Sequence, residues 1–567
     1  GVIYELYAGA ILADTWTGDG NAKNWEVSPA ATTTYTVKTA RSGNYCAATM
    51  SGSATVTVFA LSPSALPRAT VNQAYNTSLA VSGGTAPYTF TIISNSLPAG
   101  LGMTSAGAIT GTPTTVGTTN FTVSVLENNG CTASRTISLT VTPPMLAIYG
   151  TSVAKGWNSS GHYADPDVFV DGGSWSNGYA ALITTLLAGQ GGPIVTNVSE
   201  PGKNTAWGLD NFNVRVSSQN PNYVLLGYST GNEGWAGTTD PTASNIVATF
   251  TANLSNLVVK CRTNGFYPVI SSVSPNGGYT LANYEHLKRM HLVINSWNVP
   301  SLNLMTPVDD GAGKWLSGYT TDAAHPNDAG YAEFFYAFVP SLFDAIASGK
   351  TNSPQFGAST NFARLTAAAG NHAPLTFTPS HMVHSFTLAF RMRSLATGTV
   401  AAVRSGSSYS TLEVRSNQLV YVDRSGAETV IAVNLADGAW HDVALSSRHA
   451  LSNTAVYVDG SLAGSVPERY EPDQFILGGP AASGRAPTPA LMDLRNWCVY
   501  RAGWTVDEAA AQKNGNLQQS SMEIGAMLDD AAFASNSPAA NRAQSLSIAL
   551  VNTPNLAATN GLTLAAP

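Results

Sequence analysis

Residues 145–150 read MLAIYG, a short apolar run followed directly by the turn TSVAKGW at residues 151–157. Three similar runs come later: PIVTNVS at 193–199, YVLLGYS at 223–229 and YPVISSVS at 267–274. Amphipathic stretches typical of helices separate or follow these runs, among them YAALITTLLAG, LANYEHLKRMHLVINSW and AGYAEFFYAFVPSLFDAIASG. Apolar strands that alternate with helices predict an α/β domain over residues 144–350, with a parallel sheet covered on both faces.

The chain on either side of this region has short β-branched strands separated by Gly, Pro and Asn turns. This pattern is typical of antiparallel β-sandwiches. We therefore expect Ig-like sandwiches at residues 1–58 and 59–143, the first of them not necessarily complete, and another sandwich at residues 351–567. The predicted fold class is thus multidomain, with one α/β domain between β-modules.

Two of these flanking regions resemble known modules. The segment SLPAGLGMTSAGAITGTPTTVG at 96–117 resembles the Ig-like and cadherin-like modules of bacterial secreted proteins. The stretches DGAWHDVAL at 437–445 and VYVDGSLAG at 456–464 resemble laminin-G/concanavalin-like sandwiches. Neither N-terminal module contains a cluster of acids or histidines, which favours a spacer role, whereas the second resemblance implies a module that targets carbohydrate.

Composition and the lengths of the apolar stretches argue against a nucleic-acid partner and against a membrane-spanning segment. The chain has 27 Lys and Arg against 34 Asp and Glu, a net charge of −7 and no basic run, so no nucleic-acid partner is expected. No apolar stretch approaches the roughly 18–20 residues that cross a bilayer, so no transmembrane segment is expected. The low charged fraction of 11 % favours secreted β-rich modules, and we expect a bacterial protein that is secreted or at the cell surface. The oligomeric state cannot be read from the sequence.

Polar residues suited to catalysis follow the predicted strands. Ser152 comes directly after the first strand, Gly202 follows the second in SEPGKNTAWG, and Asn232 follows the third in GYSTGNEGW. Asp322 and His325 lie later, in YTTDAAHPNDAGY at 319–331. Taken singly, each has an ordinary interpretation as a turn or a helix cap. Because the carboxyl ends of parallel strands share one edge of a sheet, we expect them to converge there.

Together these residue types can perform acyl transfer. A serine hydroxyl becomes a nucleophile when a base accepts its proton, and His325 is the candidate base for Ser152. Asp322 can accept the other ring N–H and stabilise the imidazolium that forms. The N–H groups of Ser152 and Gly202 and the side-chain amide of Asn232 are candidate donors to an oxyanion.

These four blocks resemble those of the SGNH (GDSL-like) hydrolase family. The resemblance implies a flavodoxin-like α/β/α fold and no cofactor for catalysis. It also implies that Ser152 is the nucleophile, His325 the base and Asp322 its orienting acid, with Ser152, Gly202 and Asn232 as the oxyanion hole. The sequence departs from the family pattern at Thr151 and Glu233, where the family commonly has Asp.

Three tryptophans lie near the candidate residues in sequence: Trp157, Trp207 and Trp235. Each could simply pack in the core, but together they predict an aromatic wall that binds substrate. With the C-terminal sandwich, this wall favours a carbohydrate esterase that removes acetyl or similar groups from a polysaccharide. The alternatives are a lipolytic or aryl esterase of broad specificity, and a non-catalytic protein of the cell surface that binds carbohydrate.

The remaining histidines and the cysteines suggest no second site. His286 and His291 are five apart in one predicted helix, which is wrong for a metal-binding face, so we expect surface or partly buried residues. His381 and His384 have no carboxylate cluster near them in sequence. No metal site is predicted, although sandwiches of the concanavalin type often hold structural calcium, and that alternative stays open without named ligands. We expect the four cysteines to be free thiols.

Overall fold

The structure is a computed structural model that describes residues 2–39, 48–160, 177–356, 362–365, 375–394, 396–416, 418–431, 433–478, 491–529, 538–551 and 562–565. The chain divides into two compact units, Gly1–Pro143 and Pro144–Pro567. None of the helices in the described ranges combines the length and the hydrophobicity needed to cross a membrane.

The described residues of the first unit form β-strands. Strands Ile3–Ala8, Ile11–Thr17, Thr33–Thr39, Ala48–Thr49 and Ala54–Val56 pair in one antiparallel sheet. Three further sheets follow along the chain: Tyr88–Ser94, Gly117–Glu127, Thr132–Thr142 and Ala69–Thr70; Leu101–Met103, Ala108–Gly111 and Tyr75–Ser78; and Ala60–Ser62 with Ala80–Ser82. Alternate residues of Gly117–Glu127, including Phe121, Val123 and Val125, are buried in the module's core. This alternation confirms strands with one face on a core.

The second unit begins with a parallel sheet of five strands. Their bounds are Met145–Gly150, Ile194–Asn197, Tyr223–Gly227, Tyr267–Ser271 and Ser301–Leu302, and their spatial order is second, first, third, fourth, fifth. The first four were predicted, whereas the fifth is only two residues long and was missed. Ala147 and Tyr149 face one layer of helices, and Leu146 and Ile148 face the other. The predicted α/β/α three-layer fold is confirmed, and its strand order is that of flavodoxin-like sheets.

Seven helices of the described chain flank this sheet. They are α1 (Ser152–Lys155), α2 (Tyr179–Gln190), α3 (Thr205–Arg215), α4 (Thr242–Thr263), α5 (Leu281–Asn295), α6 (Asp328–Tyr336) and α7 (Leu342–Ala347), and 3₁₀ turns occur at Ser217–Gln219 and Thr230–Glu233. Helix α3 was not predicted; it begins after Asn204, whose side chain accepts a hydrogen bond from the N–H of Trp207. The last predicted helix is two helices, α6 and α7, because Pro340 lies between them and has no N–H to continue the first.

The C-terminal region is a sandwich of two sheets. One sheet contains Phe362–Leu365, Phe386–Ser394, His441–Arg448, Asn453–Val458, Ser461–Val466, Met492–Tyr500, Met522–Ala526 and Leu562–Ala565. The other contains Leu375–Phe377, Gly398–Ser405, Ser408–Arg415, Gln418–Val422, Glu428–Ile431, Gln474–Leu477 and Ala549–Val551. Buried apolar residues such as Phe386, Leu388, Leu412 and Val414 fill the space between them. One helix, α8 (Val506–Lys513), lies outside the strands.

Helix α8 joins the sandwich to the α/β region through buried polar groups. Oε1 of Glu508 lies 3.0 Å from Nε2 of His291 and accepts a hydrogen bond of 3.0 Å from Nδ2 of Asn303. Nδ1 of His291 lies 2.8 Å from Oγ of Ser272. The expectation that His291 lies at or near the surface was wrong, because this side chain is completely buried. Buried polar groups need partners, and here the partners come from both regions.

The described cysteines carry free thiols, as expected for Cys131, Cys261 and Cys498. Cys46 lies outside the described residues. Burial raises the pKa of Cys261 and of Cys498 to about 12, so both thiols are protonated and inert at neutral pH.

Candidate active site

Ser152 is the first residue of α1, and it follows the first strand by two positions. The turn that carries it depends on Gly150, since a Cβ built there would lie only 2.1 Å from the carbonyl oxygen of Gly227. No side chain fits in that space, so the first and third strands approach each other closely at their carboxyl ends. This close approach fixes Ser152 at the edge of the sheet where ligands bind in α/β folds.

A chain of hydrogen bonds links Ser152 to the loop between the fifth strand and α6. Nε2 of His325 lies 2.9 Å from Oγ of Ser152. Nδ1 of the same ring lies 2.9 Å from Oδ2 and 3.0 Å from Oδ1 of Asp322. A carboxylate can only accept, so it holds the proton at Nδ1 and leaves the Nε2 lone pair facing the serine hydroxyl. Ser152 and the Asp322–His325 pair, predicted from two separate blocks, therefore lie together in the order that acyl transfer requires.

The carboxylate of Asp322 is held ionised by its own loop. Its Oδ1 accepts hydrogen bonds of 2.7 Å from the N–H of Ala324 and 2.8 Å from the N–H of His325. Partial burial raises the pKa of Asp322, but these bonds and the contact with the His325 ring outweigh burial and lower that pKa below its ordinary value. The group is therefore an anion at neutral pH, as an orienting carboxylate must be.

Sequence reasoning missed Asn158, which completes the environment of Asp322. Its Nδ2 donates a hydrogen bond of 2.8 Å to Oδ2 of Asp322 and one of 3.2 Å to Oγ1 of Thr321. Asn158 has φ of 66°, a left-handed conformation that asparagine adopts more readily than most residues. The available signal was an Asn in the loop after Ser152, at the sheet edge where the other candidates were expected.

The side chain of Asn232 carries a donor without a partner. Asn232 lies in the 3₁₀ turn Thr230–Glu233 after the third strand, and its Nδ2 is buried and makes no hydrogen bond within the described chain. A buried donor left unpaired is costly, and a catalytic role that pairs it with substrate is one explanation for keeping it. Glu233 helps to fix this turn, because its Oε1 accepts a hydrogen bond of 2.7 Å from the N–H of Thr205.

Gly202 lies in an exposed turn between the second strand and α3. A Cβ built on it would meet no atom within 4 Å, so the space beside its backbone is open. Its contribution to an oxyanion hole stays a prediction.

The three tryptophans have different environments. Trp157 is 37 % exposed, and its ring centroid lies 6.4 Å from that of His325. Trp207 is partly buried and packs at 6.3 Å against Tyr149. Trp235 is completely buried against Tyr279, so its prediction as a wall of the substrate site was wrong. Gly234, with φ of 72°, ends the 3₁₀ turn in a left-handed conformation, and Trp235 directly after it lies in the core.

His384 has no carboxylate cluster near it in sequence, but the fold brings one carboxylate, that of Glu333, into contact with it. Nδ1 of His384 lies 2.8 Å from Oε1 of Glu333, and its ring stacks on that of His449 with centroids 3.9 Å apart. Both nitrogens of His449 have partners already, the carbonyl oxygen of Tyr470 and the guanidinium of Arg469. Parallel rings also cannot direct their in-plane lone pairs at one ion, so the cluster is a hydrogen-bonded network.

Among the described residues, one cluster of three His, Cys, Asp or Glu side chains has a spacing that could hold a metal ion. It consists of Glu333, His384 and His449. Two imidazoles and one carboxylate are not the all-oxygen set that calcium takes. The calcium alternative for the C-terminal sandwich thus gains no support.

Sequence comparison identifies the α/β region. Residues 148–333 match the profile of the GDSL-like Lipase/Acylhydrolase family. These residues form a GDSL-like acylhydrolase domain. This region is therefore a carboxylic ester hydrolase domain of the SGNH type, and esterases of this family need no cofactor for catalysis. Residues 56–142 match the family described as Putative Ig domain, which confirms the resemblance of the second N-terminal module to Ig-like modules.

Among curated proteins, none matches this chain. Among solved structures, an acetylxylan esterase from Geobacillus stearothermophilus is 17 % identical, with a TM-score of 0.27, over 34 % of this chain and 92 % of that one. A SAP-like pentraxin from Limulus polyphemus is 15 % identical, with a TM-score of 0.23, over 27 % of this chain and 81 % of that one. The likeness of residues 351–567 to laminin-G sandwiches stays a prediction.

Proposed function

We propose that this hydrolase cleaves carboxylic esters through an acyl-enzyme formed on Ser152. His325 Nε2 accepts the serine proton while Oγ attacks the ester carbonyl carbon, and Asp322 stabilises the imidazolium. The N–H groups of Ser152 and Gly202 and the amide of Asn232 receive the oxyanion. The imidazolium then protonates the leaving alcohol. A water molecule, deprotonated by His325, attacks the acyl-enzyme and releases the acid.

The observation that carries this proposal is the hydrogen-bond chain from Asp322 through His325 to Ser152 Oγ. The unpartnered donor of Asn232 supports the oxyanion half of the mechanism. A decayed site in a binding protein would have no reason to keep a serine, a base, an ionised acid and an unpaired donor together, which argues against the non-catalytic alternative.

For the substrate, we propose an acetylated polysaccharide that is met outside the cell or at its surface. The exposed ring of Trp157 beside His325 supports this choice, since an aromatic face binds the apolar face of a sugar ring. The low charged fraction of 11 % supports a secreted location.

The test compares substrates and labels the nucleophile. A fluorophosphonate probe should label the wild-type chain but not Ser152→Ala. The control Ser218→Ala, which changes an exposed serine whose hydroxyl bonds the carbonyl of Val214 and the side-chain amide of Gln219, should be labelled normally. Acetate release from acetylated xylan should exceed hydrolysis of p-nitrophenyl esters with long acyl chains.

Each competing function has its own outcome. A preference for acyl chains of eight or more carbons would replace the acetyl esterase with the lipolytic one. Absence of Ser152-dependent labelling, together with absence of esterase turnover, would favour a carbohydrate-binding surface protein.

A further inference from the structure

The segment that carries Asp322 and His325 has little structure of its own. Residues 303–327, between the fifth strand and α6, contain no helix or strand, only turns and isolated bridges. Loops longer than about 12–15 residues without secondary structure are uncommon in compact domains and need other contacts to hold them. The base and its orienting acid thus depend on what packs around this segment.

The C-terminal sandwich supplies one such contact through Arg448. Nε of this residue donates a hydrogen bond of 3.3 Å to the carbonyl oxygen of Thr306. Its Nη2 donates to two atoms of Asp309, the carbonyl oxygen at 2.5 Å and Oδ2 at 3.1 Å. Asp309 is completely buried and the Arg448 side chain is 13 % exposed, so solvent screens this pair little.

Asp309 connects Arg448 to the loop that contains Asp322 through a hairpin and its hydrogen bonds. Its Oδ1 accepts a hydrogen bond of 2.9 Å from the N–H of Gly313, which closes a hairpin in which Asp309 pairs with Trp315. Nε1 of Trp315 then donates a hydrogen bond of 2.9 Å to the carbonyl oxygen of Ala323, the residue after Asp322. Every step between Arg448 and the acid is a hydrogen bond or a neighbouring peptide unit.

The sandwich also contacts the chain after His325. Nδ1 of His384 lies 2.8 Å from Oε1 of Glu333 in α6. Nη1 of the buried Arg501 lies 3.5 Å from the carbonyl oxygen of Tyr336 at the end of that helix. Residues of the sandwich therefore contact both the segment itself and the helix that follows it.

The Arg448 side chain lies directly against residue 503, and it has room there because residue 503 is glycine. A Cβ built on Gly503 would lie 2.5 Å from Cγ of Arg448 and 2.9 Å from the carbonyl oxygen of Ser447. No larger residue could stand there without moving the arginine or the strand that carries it.

We propose that Arg448 is a positioning residue for the Asp322–His325 pair, and that the sandwich braces the site rather than only targeting it. This inference rests on the proposed function, because it assumes that His325 activates Ser152. Loss of Arg448 leaves Asp309 buried without its cation, with Oη of Tyr284 as the remaining donor to its Oδ2 at 2.6 Å, and it removes this contact of the sandwich with the hairpin that holds Ala323. Misplacement of reacting groups by about 1 Å costs on the order of 100-fold in rate.

The experiment uses the full chain and measures kcat and KM on p-nitrophenyl acetate, the rate of fluorophosphonate labelling and the thermal midpoint. Arg448→Ala should lower kcat and the labelling rate by about 10–100-fold, with KM changed much less. Added guanidinium at non-denaturing concentration should restore part of the rate in Arg448→Ala. Arg448→Lys, which keeps one donor and the charge, should lie between wild type and alanine.

Arg404→Met is the matched control. It removes another arginine of the sandwich that pairs with an aspartate, Asp473 at 2.6 Å, away from residues 303–336. Its kcat should equal that of wild type.

Wild-type kcat and labelling in Arg448→Ala would overturn the inference, and so would a loss of rate that neither guanidinium nor Arg448→Lys restores. If the alanine variant does not fold, Arg448→Lys decides, and a kcat equal to that of wild type overturns the inference. Absence of Ser152-dependent activity in the wild-type chain would instead refute the proposed function itself.

Discussion

Replacing Asn232 with alanine should change activity and stability in different ways. In the resting protein, Nδ2 of Asn232 is buried and unpaired within the described chain. An unsatisfied buried donor costs about 1–3 kcal/mol, and the substitution relieves that cost. The side chain lost is small and only partly buried, so the lost packing is worth about 1 kcal/mol. The free energy of unfolding should therefore stay the same or rise slightly.

The same substitution should lower kcat, although it leaves the free energy of unfolding unchanged or slightly higher. An oxyanion donor is used only when charge develops on the carbonyl oxygen, and removing one typically lowers kcat by about 10²–10³, or roughly 2.7–4 kcal/mol. We expect that loss in Asn232→Ala with KM little changed. The assay is steady-state hydrolysis of p-nitrophenyl acetate beside denaturant unfolding of the same preparation.

Asn253→Ala is the control, because its half-buried amide already has a partner, Oγ1 of Thr205 at 3.1 Å. That variant should lose about 1 kcal/mol of stability and keep its kcat. The oxyanion role would be refuted if Asn232→Ala kept the wild-type kcat, or if it lost 2 kcal/mol or more of stability, since the amide would then have a structural partner.

Three further predictions follow from the structure. The lowered pKa of Asp322 means that its ionised carboxylate contributes stability that is present above its ordinary pKa and is lost as pH falls through the folded value, so Asp322→Asn should flatten the fall in the free energy of unfolding at acid pH. An acid dependence of unfolding that is unchanged in Asp322→Asn would contradict the hydrogen bonds assigned to this carboxylate. Deletion of residues 351–567 should leave an α/β fragment that is unfolded or aggregated by circular dichroism and gel filtration; a folded, active fragment would contradict the buried contacts described above. Iodoacetamide at pH 8 should leave Cys261 and Cys498 unmodified until the chain unfolds, and rapid modification would contradict their burial.

The sequence predicts the sheet and the active pair well for a local reason. Strands such as Met145–Gly150 are continuous apolar runs, and Asp322 and His325 are close enough in sequence for one loop to hold both. Parallel topology then brings Ser152 to the same edge without any further information. These features depend on short stretches of chain, which is why patterns of residues reveal them.

Other features could not be predicted, because they depend on the direction in which a side chain leaves a turn or on contacts between residues far apart in sequence. Trp235 is three residues from Asn232, yet the turn between them sends the ring into the core. His291 is buried because Glu508, more than two hundred residues later, meets it across the two regions. No local pattern marks either outcome, since burial there is decided by packing between elements far apart in sequence.

The two halves of the site are therefore supported in different ways. Ser152 depends on the sheet alone, through the close approach of Gly150 to Gly227. His325 belongs to a segment without regular structure, and residues of the sandwich contact that segment and the helix after it. A tethered targeting module raises the local concentration of a polymer and leaves kcat on a small soluble ester unchanged. Contacts from the sandwich that position His325 act on the reaction itself. Their loss must therefore lower kcat even with p-nitrophenyl acetate, where no polymer is present to be targeted.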